Sequence, residues 1–348
     1  MTAPDRDLHL ARWTPDPAHD PSEPWVSPVV EVGFDVASAL PSWSAETPEG
    51  AWVDVAVRRG PDDPWYMLAR WSSTHQGRTT FGRDTDGLVR RHDDELVVDV
   101  AAGWRTAQLS LAPFRTGDGA WPRMRSASLL LSGEAVAEAD AGTPSGVAHA
   151  VDLPAYSQQL HRDLTDHPGG GGRAWCSPTA VSMVLDHWGA GPPTPSGGST
   201  RDDVVPLAAA AVFDSGYAGT GNWAFNTAYA AGLGVDAFVT RLRSLEEAEL
   251  FTRAGIPLVI SMVFGADELD GAGFDTQGHL MVLHGFDAAG DVLVHDPASH
   301  LERSNDAVPR TYRRDQVARA WLGRASGVAY VLHPADVPLP AAPAGAAW

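Results

Sequence analysis

Apolar and polar residues alternate through Ala51–Arg58, Tyr66–Trp71, 95–101 and 107–112, and 127–131 is a short apolar run. A period of two sends successive side chains to opposite faces of an extended chain, so these stretches predict short strands half-buried in sheets. Turn residues separate them, and almost nothing before residue 134 repeats at helical spacing. Residues 1–133 therefore predict an all-β domain, a sandwich or jelly roll. Residues 134–150 are small, polar and without a steady period, as a linker would be. Beyond them the spacing lengthens. Residues 175–188, 222–231 and 245–254 predict helices, 235–241 and 257–264 predict strands, and 278–286 with 292–296 predict a hairpin around Asp287, Ala288, Ala289 and Gly290. Residues 151–333 thus predict a domain of the α+β class, and 334–348 a Pro/Ala-rich tail.

A length of 348 residues suits two domains, and no apolar run approaches the roughly 20 residues of a membrane span. The 44 acidic residues against 25 basic ones give a formal net charge of −19, which repels nucleic acid and anionic membrane surfaces. Every basic residue is arginine. The absence of lysine removes a P-loop lysine and a Schiff-base lysine at once, and no cofactor is expected. The single cysteine, Cys176, excludes an intrachain disulfide and a multi-cysteine metal site, so no metal is expected either. The first twenty residues lack the basic start and apolar core of a secretory signal, from which a cytoplasmic location is expected. Eight of the 13 tryptophans lie before residue 134, where core packing is the expected use and stacking on a glycan the alternative.

Around Cys176, the residues Ser177, Pro178 and Thr179 are helix-start signals, and Ala180, Val181, Val184, Leu185 and Trp188 fall on one helical face. The thiol therefore stands at a helix N-terminus, where the macrodipole and free N–H groups favour thiolate. A buried apolar filler is the competing reading. In the hairpin, a turn centred between Ala288 and Ala289 brings Asp296 opposite Met281, so His279 and Asp296 become diagonal neighbours, while His284 and His295 share the other face. Upstream, Gln158 or Gln159 precedes the cysteine beyond the glycine run 169–172, placing an amide donor within reach of a developing oxyanion. The segment 216–234 shapes a groove with Trp223 and Asn226, or serves as a helix cap and core face.

Three blocks, LPAYSQ, WCSPTAVSMVL and GHLMVLHGFDAAGDVLVHDP, resemble those of the double-glycine-peptidase-like cysteine peptidases, relatives of bacteriocin leader-processing domains in the papain-like clan. The likeness covers roughly 151–333. It implies a papain-like fold in which Cys176 is the nucleophile, His279 the general base and acid, Asp296 the orienter of the imidazole and Gln158 the oxyanion donor. The implied activity is hydrolysis of a peptide or amide bond through a thioester, with a peptide or protein substrate. The sandwich would then contact a glycan or protein partner. The alternative is a two-domain binding protein whose papain-like half is only a scaffold.

Overall fold

The computed structural model describes residues 6–74, 77–82, 85–135, 139–193 and 201–348. In the first half, one antiparallel sheet runs in the order Leu8–Trp13, Arg123–Ser132, Ser38–Glu46, Glu95–Val98, Val89–His92 and Thr85–Asp86. A second runs Trp25–Val26, Thr106–Arg115, Ala51–Arg58, Tyr66–Trp71 and Thr79–Thr80, with Val30–Glu31 also on Thr106–Arg115. The inward residues of each alternate along their strands, so Val53, Val55, Val57, Leu109 and Leu111 share one core with Trp43, Leu129 and Leu131. The run expected over 95–101 ends at Val98, because Asp99 accepts from the N–H of Ala101 and starts a short 3-10 turn. Trp43 and Trp71 are core residues, as alternation implies. Outside the core, Arg70 lies 4.8 Å from the Trp52 ring, Arg58 4.2 Å from Trp65 and Arg115 4.5 Å from Trp121. Each guanidinium covers aromatic surface on which a sugar would stack.

The second half is α+β. Its antiparallel sheet has the order Asp236–Arg241, Val328–His333, Leu258–Phe264, Thr276–Phe286, Val292–His295 and Pro309–Tyr312. Among the described residues, four helices of eight residues or more accompany it: α1 (Cys176–His187), α2 (Val205–Val212), α3 (Trp223–Gly232) and α4 (Leu245–Arg253). The sheet is buried on both faces, and each strand divides its side chains by parity. Val259, Leu280, Val282 and Tyr330 pack with α1, whereas Leu258, Ile260, Met281 and Val331 pack with Phe251 of α4. Ser244 caps α4 by accepting from the N–H of Glu247.

Two stretches without period are ordered by distant contacts. Within 134–150, of which 136–138 lie outside the described residues, His149–Ala150 pairs with Gly285 and Phe286 at the sheet. The Pro/Ala-rich tail docks on the same domain: Trp348 packs edge-on against Phe251, and Arg243 donates to the carbonyl of Ala344 at 3.0 Å.

The two halves do not keep separate cores. Helix α3 inserts Ala224, Phe225 and Ala228 into the sandwich core, with Phe225 against Trp43 and Trp71 at ring separations of 6.2 and 5.3 Å. In the reverse direction Leu8, Leu40 and Leu130 of the sandwich join the core built around α1. A buried cation crosses the same boundary: Arg241 donates to Glu95 at 2.7 Å and to the hydroxyls of Ser38 and Ser132 at 2.9 Å each. Burying a guanidinium is costly unless its donors are met; these three partners meet the two terminal nitrogens with charge and hydroxyl oxygen, while Nε is buried with no partner among the described residues.

Candidate active site

The first residue of α1 is Cys176, and the helix behind it is buried along most of its length. The thiol is half-buried at the floor of a cleft of about 660 Å³ lined also by His279, Gln158, Tyr217, Trp223 and Glu95. Burial pushes the Cys176 thiol up, but the hydrogen bond and charge of His279, with backbone N–H groups at Leu280 and Ser177, bring it below the ordinary thiol range. For His279 the balance is the mirror image. Burial opposes its charge, while the Asp296 carboxylate, by charge and hydrogen bond, and then Cys176 raise it to about 10. Both shifts favour the same state, a thiolate facing an imidazolium.

Asp296 is fully buried, and the hydrogen bonds to its side chain stabilise a carboxylate. Its Oδ1 accepts from His279 Nε2 at 2.7 Å and from the N–H of Ala298 at 2.9 Å, and its Oδ2 accepts from the Tyr312 hydroxyl at 2.9 Å. An ionised carboxylate only accepts, so Nε2 of His279 carries a proton and Nδ1 is left for the thiol. Burial pushes the Asp296 carboxyl up, yet the charge and hydrogen bond of His279, joined by Ala298 and Tyr312, hold it below the usual carboxylate range.

The hairpin reaches this pairing by an indirect route. The turn closes a five-residue loop, with the N–H of Asp287 donating to the carbonyl of Asp291 at 3.0 Å, and Phe286 pairs with Val292. That register is one residue away from the one expected. A bulge at His284 then absorbs the slip, Val282 pairs with His295, and the continued register sets Asp296 opposite Met281. His284 and His295 lie with ring centres 4.6 Å apart and planes tilted by 54°, and their Nδ1 atoms meet the carbonyls of Val151 and Pro154. Burial depresses both, His295 to about 4, so they stand as neutral clamps on the segment entering the domain.

Gln158 opens a 3-10 turn capped by Ser157, and its N–H donates to the carbonyl of Pro297, next to Asp296. Its Nε2 donates to the carbonyl of Arg173 at 3.0 Å, which orients the amide and leaves one N–H over. Its Oε1 is buried with no partner among the described residues. The close approach depends on glycine: a Cβ at Gly172 would lie 2.0 Å from the Gln158 carbonyl oxygen, and Gly171 has φ +79°. Gln159 is also buried, and it is held through its backbone, its N–H donating to the Ser157 hydroxyl and its carbonyl accepting from Arg303.

The segment 216–234 divides between the two uses anticipated for it: Trp223 lines the cleft, whereas Asn226 does not and serves the helix cap instead. Asn222 caps α3 by accepting from the N–H of Phe225, and Asn226 is buried, its Nδ2 clamping the carbonyls of Thr220 and Asn222. Trp223 and Tyr217 face the cleft. Residues that no local signal marked complete the surroundings. Tyr312 holds the second carboxylate oxygen, Phe274 meets the His279 ring edge-on at 5.4 Å, and Leu301 stands exposed at the rim. Ser299, His300 and Leu301 all have positive φ, a run that side chains disfavour by roughly 1 to 2 kcal/mol per residue, and it follows directly from the turn that holds Asp296. Among the described residues no group of three or more His, Cys, Asp or Glu side chains is placed to hold a metal ion, and no helix is long and apolar enough to cross a membrane.

Comparison with known proteins agrees with this architecture. Residues 151–327 match the Peptidase_C39 like family, and residues 16–132 match the Peptidase C39 N-terminal domain. No curated protein and no solved structure matches the chain. The chain belongs to the Peptidase_C39 like family. Membership places it with cysteine peptidase-type hydrolases, whose substrates are peptides.

Proposed function

We propose that the protein is an active cysteine hydrolase that cleaves a peptide or amide bond through a thioester on Cys176. The observation that carries this reading is the paired electrostatics of Cys176 and His279, the one lowered and the other raised, with Asp296 fully buried behind the imidazole. A scaffold without turnover has no need of a buried carboxylate held by Ala298 and Tyr312 so that it orients a single histidine. In the proposed cycle the Cys176 thiolate attacks the carbonyl carbon and the oxygen becomes an oxyanion. The second N–H of Gln158 and the backbone N–H of Cys176 receive that charge. His279 then protonates the leaving amine, and the C–N bond breaks to leave the thioester. Water attacks next, giving its proton to His279, and the acid departs as the thiolate is restored.

The sandwich, on this reading, supplies wall and support to the cleft, since His92 and Glu95 line it while their domain holds no cysteine. The test is digestion of a complex peptide mixture by the protein and by Cys176→Ala, read by mass spectrometry of new termini. The reading expects new termini with the first protein and none with the second. Identical termini from both would refute it.

A further inference from the structure

The loop that carries Tyr217 into the cleft is held at both ends by the N-terminal half. Near its start, Asp214 is fully buried: its Oδ1 accepts from the N–H of Thr80 at 2.9 Å and from that of Gly216 at 2.8 Å, and its Oδ2 accepts from Asn222 at 3.1 Å. Ser215 donates through its N–H and its hydroxyl to the carbonyl of Arg78, and the Arg78 guanidinium donates to the carbonyl of Ala210 at 2.6 Å. Gly216 is tight against the same strand, for a Cβ there would lie 2.5 Å from the Thr80 carbonyl oxygen. At the far end, Asp94 Oδ1 accepts from the N–H of Trp223, the first residue of α3, at 2.7 Å. Between these anchors the backbone doubles back through the bridge of Asp214 with Gly219, and Ala218 takes φ +57°.

What this scaffolding positions is a phenol. Tyr217 lines the cleft with Cys176 and His279, and its ring lies on Gly219, where a Cβ would come within 2.1 Å of ring carbon. The phenol oxygen accepts from the N–H of Gly221, so its own proton is left to donate elsewhere. Burial, then the charges of Asp94 and Asp214, and also Cys176, push this hydroxyl far above the ordinary phenol range, so it keeps its proton at any working pH. A backbone at positive φ on a non-glycine residue, fixed by the carboxylates of Asp214 and Asp94 and by the strand Thr79–Thr80 of the other domain, is strain retained beside a reactive thiol.

The geometry points to Tyr217 as a substrate-contacting hydrogen-bond donor, its hydroxyl meeting the carbonyl oxygen of the bond under attack, and to the N-terminal half as the part that holds it there. The inference rests on the hydrolase reading and deepens it: the donor set at the reacting carbonyl would include a tyrosine as well as the Gln158 amide. Tyr217→Phe removes the proton and keeps the ring. Gly219→Ala keeps the hydroxyl but displaces the ring, and Gly219 has no positive φ, so the change acts through Tyr217.

The probes are a set of acetylated dipeptide aldehydes ending in glycine, alanine or leucine, which form a hemithioacetal with an oxygen at the reacting position. Their affinity is read as protection of Cys176 from iodoacetamide by intact mass. Tyr217→Phe and Gly219→Ala should each weaken the tightest aldehyde by roughly 10- to 100-fold, and the double variant should be no weaker than the worse single one. Alkylation without aldehyde should keep its acid-side pH dependence in every variant. Unchanged aldehyde affinity in Tyr217→Phe overturns the inference, and so does a parallel loss of alkylation, which would make the hydroxyl a support of the thiolate. A parent protein that alkylates readily but gains no protection from any aldehyde refutes the hydrolase reading itself, and the inference with it.

Discussion

The two halves of this chain use their distinctive residues in opposite ways. The sandwich holds eight of 13 tryptophans and spends them on packing, in its core at Trp43 and Trp71 or under arginine at Trp52, Trp65 and Trp121. The second half holds the single cysteine and gathers Cys176, His279 and Asp296 at one end of its sheet. A division into one chemical domain and one binding domain would follow, except that the boundary is interlocked. Phe225 of the second half lies in the sandwich core, and Glu95 of the sandwich lies in the cleft, paired to a buried Arg241. The lesson is that reactive groups sit on one half while the other fixes the shape around them.

Removing the chemistry from the second half should give the largest effect. Cys176→Ala and His279→Ala should each lower turnover by at least about 1,000-fold, and the double variant should be no worse than either, because nucleophile and base act as one unit. Steady-state rates on any substrate found in the peptide digest would show this. Greater dependence on His284 or His295 would contradict the register of the hairpin.

Removing the sandwich tests the other side of the comparison. A chain starting at Val151 would expose Ala224, Phe225 and Ala228 and leave Arg241 without Glu95, Ser38 and Ser132. It should fail to unfold cooperatively and should self-associate on size exclusion. A soluble monomer with a sharp urea transition and a reactive thiol would show that the halves are independent after all.

A smaller loss is expected from Arg241→Ala in the full chain. Its side chain is 3% exposed and that of Glu95 14%, so removal of one partner strands a buried charge, at about 3 to 5 kcal/mol in urea unfolding. A double change of Arg241 and Glu95 to methionine should recover most of it.

The smallest expected effect is that of Asp296→Asn, roughly 10- to 100-fold in turnover, or about 1.4 to 2.7 kcal/mol. An amide oxygen can still accept from Nε2 of His279, but it supplies no charge to hold the imidazolium. The bell of rate against pH should narrow from its alkaline side, since the Asp296 charge is the largest influence raising His279 to about 10. An unchanged alkaline limb would make Asp296 a structural residue only.

What could be read before the fold was known depended on range. Period-two alternation marked 51–58 because Val53, Val55 and Val57 face the core in turn, it marked 66–71 although a bulge there puts both Leu68 and Ala69 in the core, and parity placed His279 near Asp296 although the turn was one residue longer than expected. The bulge at His284 that compensates has no local signature, since it arises from pairing with Leu293 and Val294. Tyr217 was illegible for the same reason: the groups that fix its loop, Thr80, Arg78 and Asp94, lie more than 120 residues away. The ordered tail depends on Trp348 finding Phe251, which no period announces.

The central claim, a thiolate held by an imidazolium at the start of α1, is tested most directly by alkylation with iodoacetamide, read by intact mass as a function of pH. One cysteine gives one mass step. A free thiol, with pKa about 8.5, is almost wholly protonated at pH 6 and gains about tenfold in rate per pH unit toward neutrality. Because the Cys176 thiol is lowered by the His279 imidazolium, its rate at pH 6 should stand above that of a free thiol and should climb toward neutrality by less than tenfold per pH unit, levelling off at lower pH than a free thiol does. A rate that climbs tenfold per unit from pH 6 to 8, or a cysteine that reacts only after denaturation, would contradict the account.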